Sequence, residues 1–438
     1  MQPFSSTVAK GAALLLLGTG LLAVPAGHAQ AAGGSATDWM NQGKFGVMEH
    51  YLAEGCPAGC DLSDYPDNMP TVAQWNDRVN HYDVDGVVKQ LKSVGAGWLQ
   101  IAVGQNTGYY NAPNATFDQL VPPTADHPSR LSQRDLIKEL GPALHKEGIK
   151  LIVYLTDDPI ARDDYARKKL GGDSQATGEP NATYQENWLK VVKTWSQQWG
   201  TDVDGYWVDG SYYDNLEPFY DKMATNLRSG NPNAILSFNA GYWKPLASVT
   251  TQSDFTPGET GTGDWPRPMD GRWVDNRGTQ MLRQYFGIAQ TTWGPLPDEP
   301  MTFSDDGIIG HTLDINRVGG AMTWDVGYDR SNGHISDLAM QQLKKVGQAV
   351  GKLPTQLVGA ASNKCVDVPG AGTADGTDLQ LYDCNGSAVQ KWTFNPENGQ
   401  VRALGKCLDA SGGATANGTK VIIANCHGRD NQQWRVGA

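Results

Sequence analysis

The sequence predicts an α/β fold, a (β/α)8 barrel of the TIM type, followed by a small all-β module. Two observations lead there. Between Asp38 and Leu353, eight apolar or β-branched runs alternate with segments of helical periodicity, the pattern of a parallel sheet wrapped by helices. Beyond Leu353 the alternation stops, and a unit rich in Gly and Asn recurs at an offset of 42 residues.

In order, the strand-like runs are 45–51, 97–103, 150–156, 205–208, 234–238, 254–257, 291–293 and 321–324, the sixth and seventh being the weakest. Helical signals lie between them. Ser132 and Asp135 cap a run through Leu136, Leu140 and Leu144. Trp188, Val191, Val192 and Trp195 make an i, i+3, i+4, i+7 stripe. The span 336–350 reads as a closing helix with Leu338, Leu343 and Val346 on one side. These segments place the barrel at residues 36–352 and the small module at 356–438.

The first 30 residues are expected to be a secretory signal. Lys10 precedes an apolar stretch through Val24 that contains Leu14 to Leu17, and small residues follow up to Ala32. Gly18, Thr19 and Gly20 interrupt it, and it is short for a bilayer span of about 20 residues. The chain is acidic, with 35 Lys and Arg against 47 Asp and Glu and a net charge of −12. Loss of Lys10 with the signal makes it more negative by one. Such a surface argues against nucleic acid or an anionic membrane as partner. The 14 Trp and 16 Tyr offer flat apolar faces with a polar edge, which suit sugars as well as cores. Six cysteines fit an exported chain in which they pair. Cys56 and Cys60 form one expected pair, Cys365 with Cys384 and Cys407 with Cys426 the others. Histidines are scattered without ligand spacing and no Gly-rich phosphate loop occurs, so neither a metal nor an organic cofactor is expected.

In a parallel barrel, chemistry gathers where strands end. Those ends offer Glu49 and His50, Gln105 and Asn106, Asp157 and Asp158, Asp209, Asn239, Glu259, Trp293 and Asp325. The segment Val203-Asp204-Gly205-Tyr206-Trp207-Val208-Asp209-Gly210 carries most information, since an apolar run delivers Asp209 to a rim and Gly210 permits a sharp exit. Read alone, Asp209 before Gly210 is more often a turn residue or helix cap than a catalytic group.

Three segments besides Trp207-Val208-Asp209-Gly210 change that reading: Lys44-Phe45-Gly46-Val47-Met48-Glu49-His50-Tyr51, Thr291-Thr292-Trp293-Gly294, and the run from Asn316 to Gly327. Together, and in this order, they resemble the α-L-fucosidase family of retaining glycoside hydrolases. The resemblance implies a hydrolase that removes a terminal sugar from a glycan, with α-L-fucose the family's sugar. It implies Asp209 as nucleophile, with His50, Trp207 and Trp293 about the substrate, and Asn239 is expected there as a strand-end residue. Asp254-Phe255-Thr256-Pro257-Gly258-Glu259 is similar to a segment ending in a functional Glu, which makes Glu259 the first candidate for the acid/base. Asp275 is the reserve and Glu49 the third; a solvated loop acid is the plain alternative for Glu259. The chain departs from the family at Gln105-Asn106-Thr107-Gly108-Tyr109, where adjacent histidines are usual, and Glu49 is an added acid. Gln105, Asn106 and Glu49 are therefore expected in a sugar pocket of altered chemistry. The competing readings are a barrel that binds carbohydrate without cleaving it, and a related exo-glycosidase for another sugar.

In the module, Lys364-Cys365-Val366-Asp367 recurs as Lys406-Cys407-Leu408-Asp409, and Gln390-Lys391-Trp392 as Gln432-Gln433-Trp434. This resembles the ricin-B-type lectins, whose QxW repeat marks a β-trefoil, here a partial one of two repeats. The resemblance implies sugar contacts at Asp367, Tyr382 and Gln390 in the first repeat and at Asp409, Asn431 and Gln432 in the second. Val389 stands where the family has Asn, and Ala424 where it has a ring.

Overall fold

A computed structural model describes residues 35–53, 69–157, 162–172, 181–261, 271–395 and 398–434. The expected signal, the Cys56–Cys60 pair and Asp158 lie outside these.

The barrel domain runs α1 (Asp38–Gly43), β1 (Phe45–Glu49), α2 (Val72–Asn80), α3 (Val84–Val94), β2 (Trp98–Ala102), α4 (Ala115–Leu120), α5 (Leu136–Lys146), β3 (Lys150–Thr156), α6 (Asp164–Lys169), α7 (Ala182–Trp199) and β4 (Gly205–Asp209). It continues with α8 (Glu217–Leu227), β5 (Ile235–Phe238), β6 (Glu259–Gly261), a hairpin of β7 (Trp273–Asn276) and β8 (Thr279–Leu282), β9 (Gln284–Ile288), α9 (Asp305–Arg317), β10 (Ala321–Asp325) and α10 (Asp337–Ala349). Eight strands form one curled sheet in the order β5-β4-β3-β2-β1-β10-β9-β6, parallel throughout. The ladder is open between β5 and β6. There Asp254 N–H donates to Leu236 O on β5, Leu282 N–H to Asp254 O, and Thr256 N–H to Leu282 O, so this stretch bonds to β5 and to the end of β8 without forming a regular strand.

Strand alternation sorts the core into two layers. One parity sends Met48, Trp98, Ile152, Tyr154, Trp207, Ile235 and Phe286 to the inside of the curl. The other sends Val47, Leu99, Ile101, Val153, Tyr206, Val208 and Trp324 against the helices, where α7 supplies Trp188, Val191, Val192 and Trp195. Gly46 is required by this arrangement, because a Cβ there would lie 2.1 Å from Trp98 Nε1.

The structure corrects several expectations. The run at 254–257 supplies a single bridge at Phe255. The strand beside β10 is β9, and Thr291 to Trp293 belong to the loop after it. Asp135 alone caps α5, while the Ser132 hydroxyl donates to Arg134 O. On α10, Leu343 and Val346 are buried but Leu338 faces solvent at 43 % exposure.

The module contains β11 (Lys364–Asp367), β12 (Thr377–Asp378), β13 (Gln380–Asp383), β14 (Thr393–Asn395), β15 (Gln400–Ala403), β16 (Lys406–Ala410) and β17 (Val421–Ala424). Both expected disulfides, Cys365–Cys384 and Cys407–Cys426, are formed. The duplication repeats its hydrogen bonds: Trp392 Nε1 donates to Val366 O and Trp434 Nε1 to Leu408 O, each at 3.0 Å.

Candidate active site

Asp209 ends β4, one residue beyond Val208, and Gly210 (φ 86°) turns the chain sharply away. An Asp157 carboxylate oxygen would lie 2.5 Å from any Cβ at Gly210, so the turn and the packing both select glycine. Among the described residues, every hydrogen-bond partner of Asp209 is a donor. Tyr154 OH reaches Oδ2 at 2.6 Å, while Gly210 N–H and Asn239 Nδ2 reach Oδ1, both at 2.9 Å.

Asn239 follows β5 and is fully buried. Its Oδ1 accepts from Gly241 N–H at 3.0 Å, which turns its amide nitrogen toward the pocket. That one nitrogen donates to Asp209 Oδ1 and, at 2.6 Å, to Glu259 Oε2. The two oxygens are therefore separated by at most the sum of these distances, about 5.5 Å. Burial pushes the Glu259 carboxyl up to about 7, and the Asp209 charge adds to the rise; the Asn239 hydrogen bond and the His50 charge oppose it.

A third acid orients the histidine. Asp325, fully buried at the end of β10, lies 3.0 Å through Oδ1 from His50 Nδ1, and its Oδ2 accepts from Gly294 N–H at 2.7 Å. Burial opposes protonation of His50, but the charge and hydrogen bond of Asp325, with the charges of Asp209 and Glu259, outweigh it and raise its pKa. The His50 ring meets Tyr154 edge-on at 5.3 Å and Trp293 edge-on at 6.0 Å, and Trp293 sits 4.8 Å from Phe286.

Asp209, Glu259, His50, Asn239 and Trp293 thus converge. Gln105 joins them indirectly, its Nε2 donating to Tyr154 OH at 2.6 Å. Asn106 is half-buried on the same loop, its carbonyl accepting from Arg162 N–H. Trp207 is 1 % exposed, donates to Pro257 O and stacks on Tyr154 at 5.3 Å, so it supports the floor rather than facing a ligand. Glu49 does not enter the pocket. Strand parity sends it to the helix side, where it is fully buried and its Oε2 accepts from Tyr82 OH at 2.8 Å. Asp275 lies exposed in the β7–β8 hairpin, hydrogen-bonded to Gln280.

Tyr154 and Phe286 were not among the expected site residues, and Asp325 was offered as a strand end without an assigned role. Tyr154 lies inside β3 and shares the inward parity of Ile152, a signal that strand ends alone do not carry.

In the module, Gln390 and Gln432 are fully buried. Each donates to the Asp of its own repeat, Asp367 at 3.1 Å and Asp409 at 2.9 Å, and to a backbone carbonyl, Asp383 O and Asn425 O respectively. They hold turns and offer no face to a sugar. Asn431 also donates to Asp409, while Tyr382 is 53 % exposed on β13.

Paired carboxylates with an oriented histidine and aromatic walls, at the strand ends of a parallel sheet, define a glycoside hydrolase. The Alpha-L-fucosidase family model matches residues 28–352, and the chain belongs to that family. The Ricin-type beta-trefoil lectin domain matches residues 353–438, so a carbohydrate-binding lectin domain follows the glycosidase domain. Solved structures of similar fold include an endo-fucoidan hydrolase from glycoside hydrolase family 107, at 15% identity and TM-score 0.54 over 72% of this chain and 93% of that one. Another is alpha-L-fucosidase isoenzyme 1 from Paenibacillus thiaminolyticus, at 17% identity and TM-score 0.52 over 89% and 94%. Two curated relatives match short stretches: a seed lectin of Trichosanthes anguina is 56% identical over 41 residues, and serine protease 1 of Rarobacter faecitabidus 44% over 51. These cover 9% and 12% of this chain, which spans 8% and 10% of those proteins.

Proposed function

We propose that this protein is an exported, retaining exo-glycosidase that releases terminal α-L-fucose from glycans, with its lectin module holding the enzyme near its substrate. The observation that carries the mechanism is the single Asn239 nitrogen shared by Asp209 and Glu259. It keeps the two acids close to the roughly 5–5.5 Å separation of retaining enzymes, short of the ~6.5–9.5 Å that admits a water between them.

Asp209 attacks the anomeric carbon as Glu259 gives its proton to the departing oxygen, leaving a glycosyl ester on Asp209. Glu259, now a carboxylate, takes a proton from water; the hydroxide oxygen bonds to the anomeric carbon and Asp209 leaves. Burial suits Glu259 to the first step, since about 7 keeps a large protonated fraction near neutrality. His50, held by Asp325, and Trp293 contact the sugar's hydroxyls and ring face. Export is supported by the apolar N-terminal stretch and the two formed disulfides.

One observation favours a second sugar: Gln105, standing where the family carries histidine, contacts Tyr154 and so reaches Asp209 through it. A panel of aryl α-L-fucoside, α- and β-galactoside and α-arabinoside decides. Wild type should turn over the fucoside best, and Asp209→Ala should lose on the order of 10³-fold or more in kcat. Preference for a galactoside would overturn the sugar; near-normal turnover by Asp209→Ala would overturn the mechanism. Inactivity on all four, with glycan binding retained, would leave a carbohydrate-binding barrel.

A further inference from the structure

Among the described residues of the barrel domain, the exposed large hydrophobic side chains are Tyr212 (45 %), Tyr242 (66 %), Trp243 (59 %), Trp293 (37 %) and Leu338 (43 %). Apart from Leu338 on α10, all lie on loops that leave the strand ends around Asp209, Asn239 and β9. Scattered exposed apolar residues are ordinary, but these are not scattered. Tyr212 and Trp243 have ring centroids 5.5 Å apart, and Trp243 and Tyr242 5.0 Å apart in an edge-to-face pair.

The cluster is joined to the carboxylates through the backbone. Tyr212 comes three residues after Asp209, and Tyr242 and Trp243 come three and four after Asn239. Gly241, whose N–H fixes the Asn239 amide, has φ 96°, and a Cβ there would lie 2.8 Å from the Trp243 ring. One glycine thus orients the residue that bridges the two acids and makes room for the indole beside it. Lys244 Nζ lies 3.5 Å from Asp214 Oδ2, an ion pair that ties the two aromatic-bearing loops together. Burial, then the charges of Asp209, Glu259 and Asp157, raise the Tyr212 pKa, so its hydroxyl stands within electrostatic reach of both acids. On another flank His50, Tyr154 and Phe286 are at most 9 % exposed. One wall of the site is thus closed, while the rim of Tyr212, Tyr242 and Trp243 is open.

We propose that Tyr212, Tyr242 and Trp243 form a stacking platform for the sugar ring on the leaving side of the scissile bond, so that the enzyme's leaving group is a pyranose rather than a small aglycone. A pyranose presents a face of C–H groups and an edge of hydroxyls. Indole and phenol rings cover the face while leaving the edge in water. The platform rests on the glycosidase reading above and adds to it the class of leaving group.

The test compares two substrates that share the transferred fucosyl group but differ in whether the leaving group is a ring. α-L-Fucosyl fluoride has a leaving group with no face to stack; a set of fucosyl disaccharides and trisaccharides has one. Wild type, Trp243→Ala, Tyr242→Ala and Trp243→Phe are assayed on both. The ratio of kcat/KM for the best saccharide to that for the fluoride should fall about tenfold in Trp243→Ala, equivalent to ~1.4 kcal/mol. It should fall less in Tyr242→Ala and recover largely in Trp243→Phe. Should Trp243→Ala not fold, Tyr242→Ala, at the most exposed position of the three, carries the comparison. Unchanged ratios, or a wild type that cleaves the fluoride but none of the saccharides, would overturn the platform alone. A wild type inert on both would overturn the fucosidase reading and the platform with it.

Discussion

Asn239 is the residue on which the site turns, because a neutral amide holds two acids together without neutralising either. The consequence is a pH dependence with a definite sign. In the proposed mechanism Glu259 carries the proton that releases the leaving group, so kcat/KM should fall as pH rises through about 7. Glu259→Gln should abolish that limb and slow natural substrates far more than an activated aryl glycoside, whose leaving group needs little protonation. A pH–rate profile of the two proteins checks both outcomes. Glu49 titrates for another reason. Burial, opposed by the Tyr82 hydrogen bond and aided by the Asp325 charge, pushes it from 4.5 to about 8. The folded protein then binds a proton that the unfolded chain releases above its ordinary value, so the protonated form's stability is present at low pH and is lost as pH rises toward 8. Glu49→Gln lacks that loss. Its stability relative to wild type should improve by about 1.4 kcal/mol per pH unit between roughly pH 4.5 and 8, read from denaturant midpoints. At this scale Asp209 and His50 were legible because each ends an apolar run. Tyr154 was not, since its hydroxyl reaches the rim from two residues inside β3.

Among the elements, strands that directly follow a helical segment were legible, and β6 and β9, which have no helix before them, were not. The runs at β1 to β5 and β10 read directly. By contrast β9 opens with Gln284, fully buried and donating to Thr323 Oγ1, and that polar residue interrupts the apolar run. Thr291 to Trp293 are β-prone by composition, yet Thr291 and Thr292 hydrogen-bond to Glu299 and fold into a loop. The β7–β8 hairpin turns on Arg277 and Gly278, both at positive φ, and Arg277 gives no such signal in the sequence. Helix α10 offers a contrast within one element. Leu343→Ala should cost about 2–5 kcal/mol, as expected for a buried leucine. Leu338→Ala should stay within about 0.5 kcal/mol, since its side chain is largely in water. Equal losses in urea unfolding would show that the helix presents a different face.

For the whole molecule, the division of labour was readable because its two halves obey different periodicities. One alternates strand and helix; the other repeats a 42-residue unit whose Trp and Gln remake the same bonds twice. The sugar was less readable, because in the proposed site specificity is assigned to loops such as Gln105 to Tyr109 and Gly241 to Trp243 rather than to the scaffold. The central claim is that Asp209 forms a covalent bond to the sugar while Glu259 serves both proton transfers. Its most direct test is the 2-deoxy-2-fluoro glycosyl fluoride of the sugar released most rapidly in the glycoside panel, followed by peptide mapping. The account predicts time-dependent inactivation, one label on Asp209, and release of product with its anomeric configuration retained. A label on any other residue, or no label together with inverted product, would contradict it.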